Sequence, residues 1–388
     1  MLTEKLYERD AYLRSFTACV LSCTPEENGG WAVVLDQTAF YPEGGGQPGD
    51  TGALGTAAVG DTRIRGGELV HLCDAPLTPG STVTGTIDWE HRFDLMQQHS
   101  GEHIVSGILC GRFGCDNVGF HLGADTVVID FNCTPTPEEL AEVERTANEA
   151  IWNDLPFLVS YPTPEELARL EYRSKKALTG QVRIVECPGM DRCACCGTHV
   201  RSAGELGIIK LISMRPLRGG VRIEMLAGKR AYAYVCGAVE QNGRISALLS
   251  ARVNETAEAV ARQSEALAAA NYRITGLENV AFARRAEALQ GAGDVLLFEE
   301  GLSADGVRRL CDAVAAECSG RCAVFSGADG EGYKYAIARS GGNLRALTAR
   351  LNGALSGRGG GKPGFVQGSV TADRVQIEAF FAADPGEE

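Results

Sequence analysis

Two short motifs far apart in the chain make the heaviest demand on its fold: His99-Ser-Gly-Glu-His103 and Cys195-Cys-Gly-Thr-His199. Residues at i and i+4 of a helix share one face, so the two imidazoles of the first motif can reach one ion from adjacent turns. The second motif repeats the four-residue spacing, and Gly197 permits a turn tight enough to bring thiolate and imidazole together. A zinc ion takes four ligands at tetrahedral corners, and a chain that supplies all four from these motifs must return on itself to do so. Cys193 and Cys196 stand beside Cys195 and leave the identity of the thiolate open. A rival reading uses the same residues: HSGEH also spells H-x-x-E-H, in which two histidines bind zinc and Glu102 activates water for peptide hydrolysis. That reading needs a further carboxylate ligand and leaves the Cys/His pair unused.

The chain has 388 residues, more than one core usually organises, and its 44% apolar content suffices for real cores rather than disorder. The opening segment MLTEKLYERDAYLRSF lacks the basic, apolar, small-residue layout of a signal peptide, and no stretch approaches twenty apolar residues. A cytoplasmic protein without membrane association is expected. Fourteen cysteines scattered through such a chain read as reduced thiols, mostly small core residues, apart from the cluster Cys187, Cys193, Cys195 and Cys196. The net charge of −13 argues against indiscriminate nucleic-acid binding. Local basic clusters occur at Arg173, Lys175 and Lys176, at Arg215, Arg218 and Arg222, at Lys229 and Arg230, and around Arg358 and Lys362.

Short apolar runs between Gly, Pro and Asp clusters predict a small β-barrel or sandwich over residues 1–88. Helical spacing follows from Arg92 to Leu109, then the strand VVIDF, helix starts at Thr136 and Thr163, and strands VRIVEC, GIIKLISM and VRIEMLAG around the Cys-rich turn. An α+β domain over 89–230 is expected. Val253, Val260, Leu267, Ile274 and Ala281 recur every seven residues, with Ala270 and Leu277 between them. A long helix or helical hairpin over 231–290 follows, with coiled-coil character and a homodimer seam as one of its uses. Residues 291–388 alternate strands and helices, with GRGGGKPG preceding a final strand VQIEAFF, and predict a separate α/β domain.

The segment TAFYPEGGGQPGDTG, from Thr38 to Gly52, carries three consecutive glycines, Gly44, Gly45 and Gly46, that let backbone approach a ligand closely, beside Pro and aromatic residues that stiffen the loop. An ordinary barrel turn needs two or three of these residues, not all of them.

LDQTAFYPEGGGQPGDTG, the HSGEH helix, and CCGTHV followed by GELGIIKL and RIEMLAG, in that order, resemble the editing domain of alanyl-tRNA synthetase and the free-standing AlaX alanyl-tRNA editing proteins. The match spans roughly residues 1–235. The C-terminal GRGGGKPGFVQGS resembles the glycine-rich domain that ends alanyl-tRNA synthetase. The stretch before residue 15 leaves no room for the aminoacylation domain, so a long, free-standing editing protein is expected. The resemblance implies zinc on His99, His103, Cys195 and His199. It implies a threonine, Thr38, that hydrogen-bonds a seryl hydroxyl, and Gln47 lining that pocket with Gly44, Gly45 and Gly46. The implied reaction is hydrolysis of serine, or glycine, from alanine tRNA, with Glu102 as candidate general base. The helix departs from the family in carrying Ser-Gly-Glu between its histidines, and Cys196 stands where relatives carry glycine. A zinc peptidase and a tRNA-binding module with structural zinc are the readings from other classes.

Overall fold

The computed structural model describes residues 3–27, 29–174 and 180–383. It is a mixed α/β chain with several sheets, divided into two compact units, Met1–Gly243 and Arg244–Glu388. Lys175 and Lys176 of the first basic cluster lie outside the described residues.

In the first unit six antiparallel strands close a barrel, in the spatial order Ser15–Pro25, Trp31–Leu35, Glu68–Cys73, Ala57–Arg65, Gly52–Leu54 and Thr82–Ile87. Side chains alternate in and out along a strand, and Phe16, Ala18 and Val20 of the first strand point inward, where they meet Val33, Leu35, Leu54, Val59 and Ile87. Closure leaves the strands no free edge.

Asp88 ends the last barrel strand and caps the helix Trp89–Phe113, its carboxylate accepting from His91 N–H at 3.2 Å. Every residue of this helix from Leu95 to Gly107 is buried. A helix buried all round is a central element rather than an amphipathic cover. The sheet that packs on it has the order Ile209–Leu217, Gly220–Ala227, Val127–Phe131, Asn117–Leu122. Gln98 of the helix grips that sheet, donating to Ala227 O at 2.8 Å and accepting from Ala227 N at 2.9 Å. The helix Pro137–Trp152 packs against the central one and starts with a capping box between Thr136 and Glu139.

Barrel and helix are tied through an ion pair between Arg92 and Asp50, both fully buried. Arg92 Nε donates to Asp50 Oδ1 at 2.8 Å, and its other nitrogens reach Ala11 O at 2.8 Å and Ala39 O at 2.6 Å. Removing one partner of such a pair costs about 3 to 5 kcal/mol, because the other charge stays buried.

The helical region consists of two helices, Gly228–Leu249 and Thr256–Glu287. Ser250, at φ +50°, ends the first, and the 3-10 turn Val253–Glu255 holds the first heptad position while the rest lie in the second helix. Val260, Leu267, Ile274 and Leu277 are 48% to 62% exposed. No helix among the described residues is long and apolar enough to cross a membrane.

The second unit carries a five-stranded sheet of order Val295–Glu299, Arg321–Ala328, Gly332–Arg339, Phe365–Val370, Arg358–Lys362. Its first pair is parallel and the rest antiparallel. Val307, Leu310 and Val314 of the helix Ala304–Glu317 fill one core, and Leu347, Leu351 and Ile377 contribute to another. One expectation is corrected here. VQIEAFF lies in a helix, Arg374–Ala383, not a strand. Ile377, Phe380 and Phe381 share one helical face on the core while Val375 is 73% exposed, whereas a strand would have put Val375 and Ile377 on the same side. The glycine-rich run Arg358–Lys362 is itself an edge strand, paired to Phe365–Val370.

Candidate metal centre

His99, His103, Cys195 and His199 converge, with their ligand atoms all within 4.8 Å of one another. Nε2 of His99 lies 3.5 Å from Cys195 Sγ and Nε2 of His199 lies 3.4 Å from it. Two corners of a zinc tetrahedron, at about 2.3 Å for sulfur and 2.0 to 2.1 Å for nitrogen, stand about 3.6 Å apart. The donor set and its spacing therefore fit zinc. The group includes no carboxylate among the described residues, so the H-x-x-E-H peptidase pattern is not completed here.

The helix supplies the first pair of ligands, and a hairpin of Ile184–Cys187 with Asp191–Ala194 leads into the turn that supplies the second. Arg183 braces that turn by donating from Nη1 to the carbonyls of Cys195 and Gly197 at 2.8 and 2.9 Å. Gly197 lies against His99: a Cβ there would stand 2.2 Å from His99 Cε1, so no larger residue fits. Alternation along Asp191–Ala194 buries Asp191 and Cys193. Cys196 is exposed.

The outer nitrogen of each imidazole is held from a different part of the unit. His99 Nδ1 lies 2.9 Å from Gln47 Oε1, His103 Nδ1 2.9 Å from Asp191 Oδ2, and His199 Nδ1 3.1 Å from Ser100 Oγ. Asp191 is fixed in turn by Arg173, which donates from Nε and Nη2 at 2.6 and 2.8 Å. His103, Asp191 and Cys193 form a second close group, but the Arg173 guanidinium already neutralises Asp191, so this group serves the first as its support. Such outer partners fix the tautomer and orientation of a ligating histidine.

The electrostatics suit a cation. Burial opposes ionisation of Cys195, yet the His99 and His103 charges and the hydrogen bonds from His103 and His199 hold its thiol well below the usual range. Burial also opposes a charged His103, but the Cys195 thiolate and Asp191 push it up to about 9. His199 is held well below its ordinary value by burial and by the other two imidazoles. Asp191, despite burial, is pulled to about 2 by His103 and Arg173. A buried thiolate among imidazoles that cannot all carry protons could hold one compact cation.

The remaining predicted residues have definite places. Glu102 is buried, and its Oε1 accepts from Ser106 Oγ at 2.6 Å and Asn117 Nδ2 at 2.7 Å. Gln47 joins the cluster through His99. Thr38 is buried on the barrel side, where its hydroxyl accepts from Phe40 N at 3.1 Å and pairs with His71 Nε2 at 2.8 Å. It makes no hydrogen bond to the cluster. The triple glycine forms a tight turn: Gly44 and Gln47 exchange backbone hydrogen bonds at 3.0 Å, with Gly45 and Gly46 at φ +59° and +87°. Positive φ at both central residues is the type I′ geometry that fits a two-residue hairpin.

Sequence reading missed Asp191, Ser100, Arg173 and Thr198. The alternation Asp191, Cys193, Cys195 was the available signal for the first; nothing local marks the others.

Comparison with known proteins adds names to this geometry. Residues 17–91 match the family described as "tRNA synthetases class II (A)", and residues 182–224 match "Threonyl and Alanyl tRNA synthetase second additional domain". "Alanyl-tRNA editing protein Aarsd1" of Mus musculus is 29% identical over 395 residues, covering 96% of both chains. "Alanyl-tRNA editing protein Aarsd1-B" of Xenopus laevis is 30% identical over 396 residues, again covering 96% of both. "Alanine--tRNA ligase" of Pyrobaculum arsenaticum is 32% identical over 397 residues, which make up 97% of this chain and 44% of the ligase.

Proposed function

This chain belongs to the alanyl-tRNA editing proteins, and we propose that it hydrolyses serine, or glycine, from wrongly charged alanine tRNA at a zinc site made of His99, His103, Cys195 and His199. The observation that carries the reading is the convergence of those four side chains in a chain aligned almost end to end with proteins named for alanyl-tRNA editing. The need for such an activity is physical: a charging pocket cannot strongly reject an amino acid that is smaller than alanine or larger by one hydroxyl, so a second site must remove the error.

Hydrolysis adds water across the ester, placing hydroxyl on the acyl carbon and a proton on the ribose oxygen. Zinc, when bound, supplies positive charge that can orient the aminoacyl group or acidify water. The three imidazoles and the Cys195 thiolate hold that charge in a buried setting, and Gln47, Asp191 and Ser100 keep the imidazoles aimed inward. Glu102, adjacent to His103 and steadied by Ser106 and Asn117, is the candidate base for the attacking water. Thr38, whose hydroxyl meets His71 Nε2 and Phe40 N–H, is the candidate partner of the seryl hydroxyl. The resemblance of residues 291–388 to the end of alanyl-tRNA synthetase points that segment to tRNA binding or dimerisation.

The test is release of amino acid from seryl-, glycyl- and alanyl-tRNA(Ala) by the zinc-loaded protein, with a peptide substrate alongside. Seryl or glycyl release with alanine spared, absent in Cys195→Ala, is expected. Failure of the unmutated protein to release either would overturn the reading.

A further inference from the structure

The glycine-rich turn is expected to line the substrate pocket, and its glutamine lies against the candidate metal ligands. Gln47 is fully buried, and its carboxamide makes three hydrogen bonds there. Oε1 accepts from Thr198 N–H at 3.1 Å, Nε2 donates to Thr198 Oγ1 at 2.8 Å, and Oε1 lies 2.9 Å from His99 Nδ1. The backbone N–H of Thr198 can only donate, so the atom facing it is the oxygen. The same oxygen can only accept from His99, so His99 Nδ1 carries the proton and Nε2, 3.5 Å from Cys195 Sγ, keeps its lone pair. Both lone pairs of Oε1 are thereby used.

The turn is itself seated on the site. A Cβ at Gly46 would stand 2.5 Å from the ring of Phe120, and that ring stacks on His99 at 5.3 Å with 28° between planes. Leu122 N–H donates to Gly46 O at 3.3 Å. One side of His99 is thus packed by Phe120 and its outer nitrogen is bonded by Gln47, while Gln47 also clasps the residue preceding His199.

We infer that Gln47 is a positioning residue of the metal centre: it selects the metal-binding tautomer of His99 and locks the Cys195–His199 turn against it. The loop between the barrel strands Trp31–Leu35 and Gly52–Leu54 therefore sets metal affinity. This rests on the zinc reading above.

The experiment measures zinc affinity of the full chain by competition with a chromogenic chelator, together with thermal stability of the metal-free protein. Gln47→Leu removes all three bonds and is expected to weaken zinc about 10- to 100-fold. Gln47→Glu keeps an acceptor for His99 and Thr198 N–H and is expected to recover most of that loss. Glu43→Gln, exposed beside the same turn, is expected to bind as the unmutated chain does. Zinc binding by Gln47→Leu equal to that of the unmutated chain would overturn the inference and leave the metal reading standing. So would a Gln47→Glu variant that is no better than Gln47→Leu, since a merely structural turn residue would behave that way. An unmutated chain that binds no zinc overturns both.

Discussion

The interiors of the two units are built on different principles. Around the central helix of the first, Gln47, Arg92, Gln98, His99, Ser100, Glu102, His103, Asp191, Thr198 and His199 are all buried. In the second, the buried polar side chains among the described residues are Arg321, Ser326 and Thr348. An apolar core accepts many side chains of the right volume, whereas each buried polar group requires a partner at the right distance. The interior around the central helix of the first unit is therefore specified largely by hydrogen bonds, many of them around the His/Cys cluster, and that of the second mainly by volume.

The sharpest way to break this contrast is Cys195→Ala. It removes the only sulfur of the cluster and should abolish stoichiometric zinc and lower seryl-tRNA hydrolysis on the order of 10²-fold or more, beyond what loss of an outer partner causes. Retention of one zinc per chain, measured by elemental analysis, would contradict the proposed ligand set. The counterpart in the second unit is Leu310→Ala, which opens a cavity in its apolar core and should cost about 2 to 5 kcal/mol of that unit's stability. Zinc content should be unchanged; a denaturant titration alongside metal analysis tests both halves.

A pH titration sharpens the comparison further. Burial holds His71 down to about 4 from its ordinary 6.5, against a smaller opposing effect of its bond to Val33 O. The unfolded chain binds a proton more readily than the folded one between those values. This contribution is therefore intact above pH 6.5 and is lost progressively as pH falls toward 4, about 3 kcal/mol in all. His71→Gln should flatten that part of the pH dependence of unfolding, and an unchanged slope would refute the assignment. The smallest effect is expected from Asp191→Asn, which leaves Arg173 without its charge partner and weakens the hold on His103. Zinc affinity should fall about 10- to 100-fold, read by chelator competition. No change would mean that Arg173 and Asp191 are a structural pair without influence on the metal.

What could be read before folding was local. Spacing of i and i+4 put His99 and His103 on one helical face, Thr136 and Glu139 announced a helix start by their capping chemistry, and VVIDF was legible as the strand Val127–Phe131. VQIEAFF misled because a run that short fits both periods, and only the core under Ile377 decides between them. The heptad positions from Val260 to Ala281 lie within the single helix Thr256–Glu287, while the break at Ser250, before the pattern begins, had no signal in it.

The sequence by itself paired the candidate donors, since four-residue spacing on a helix and across a glycine turn brings the members of each pair close, but it left the thiolate open among Cys193, Cys195 and Cys196. The order of its motifs likewise determined the family. The tertiary structure alone decided which groups stand behind those donors. Gln47 reaches His99 across 52 residues and Ser100 reaches His199 across 99, separations over which no periodicity carries information. Hydrogen bonds between such distant residues exist only once barrel, helix and hairpin have packed, and that packing brings the glycine-rich loop, through Gln47, against His99 of the candidate metal cluster.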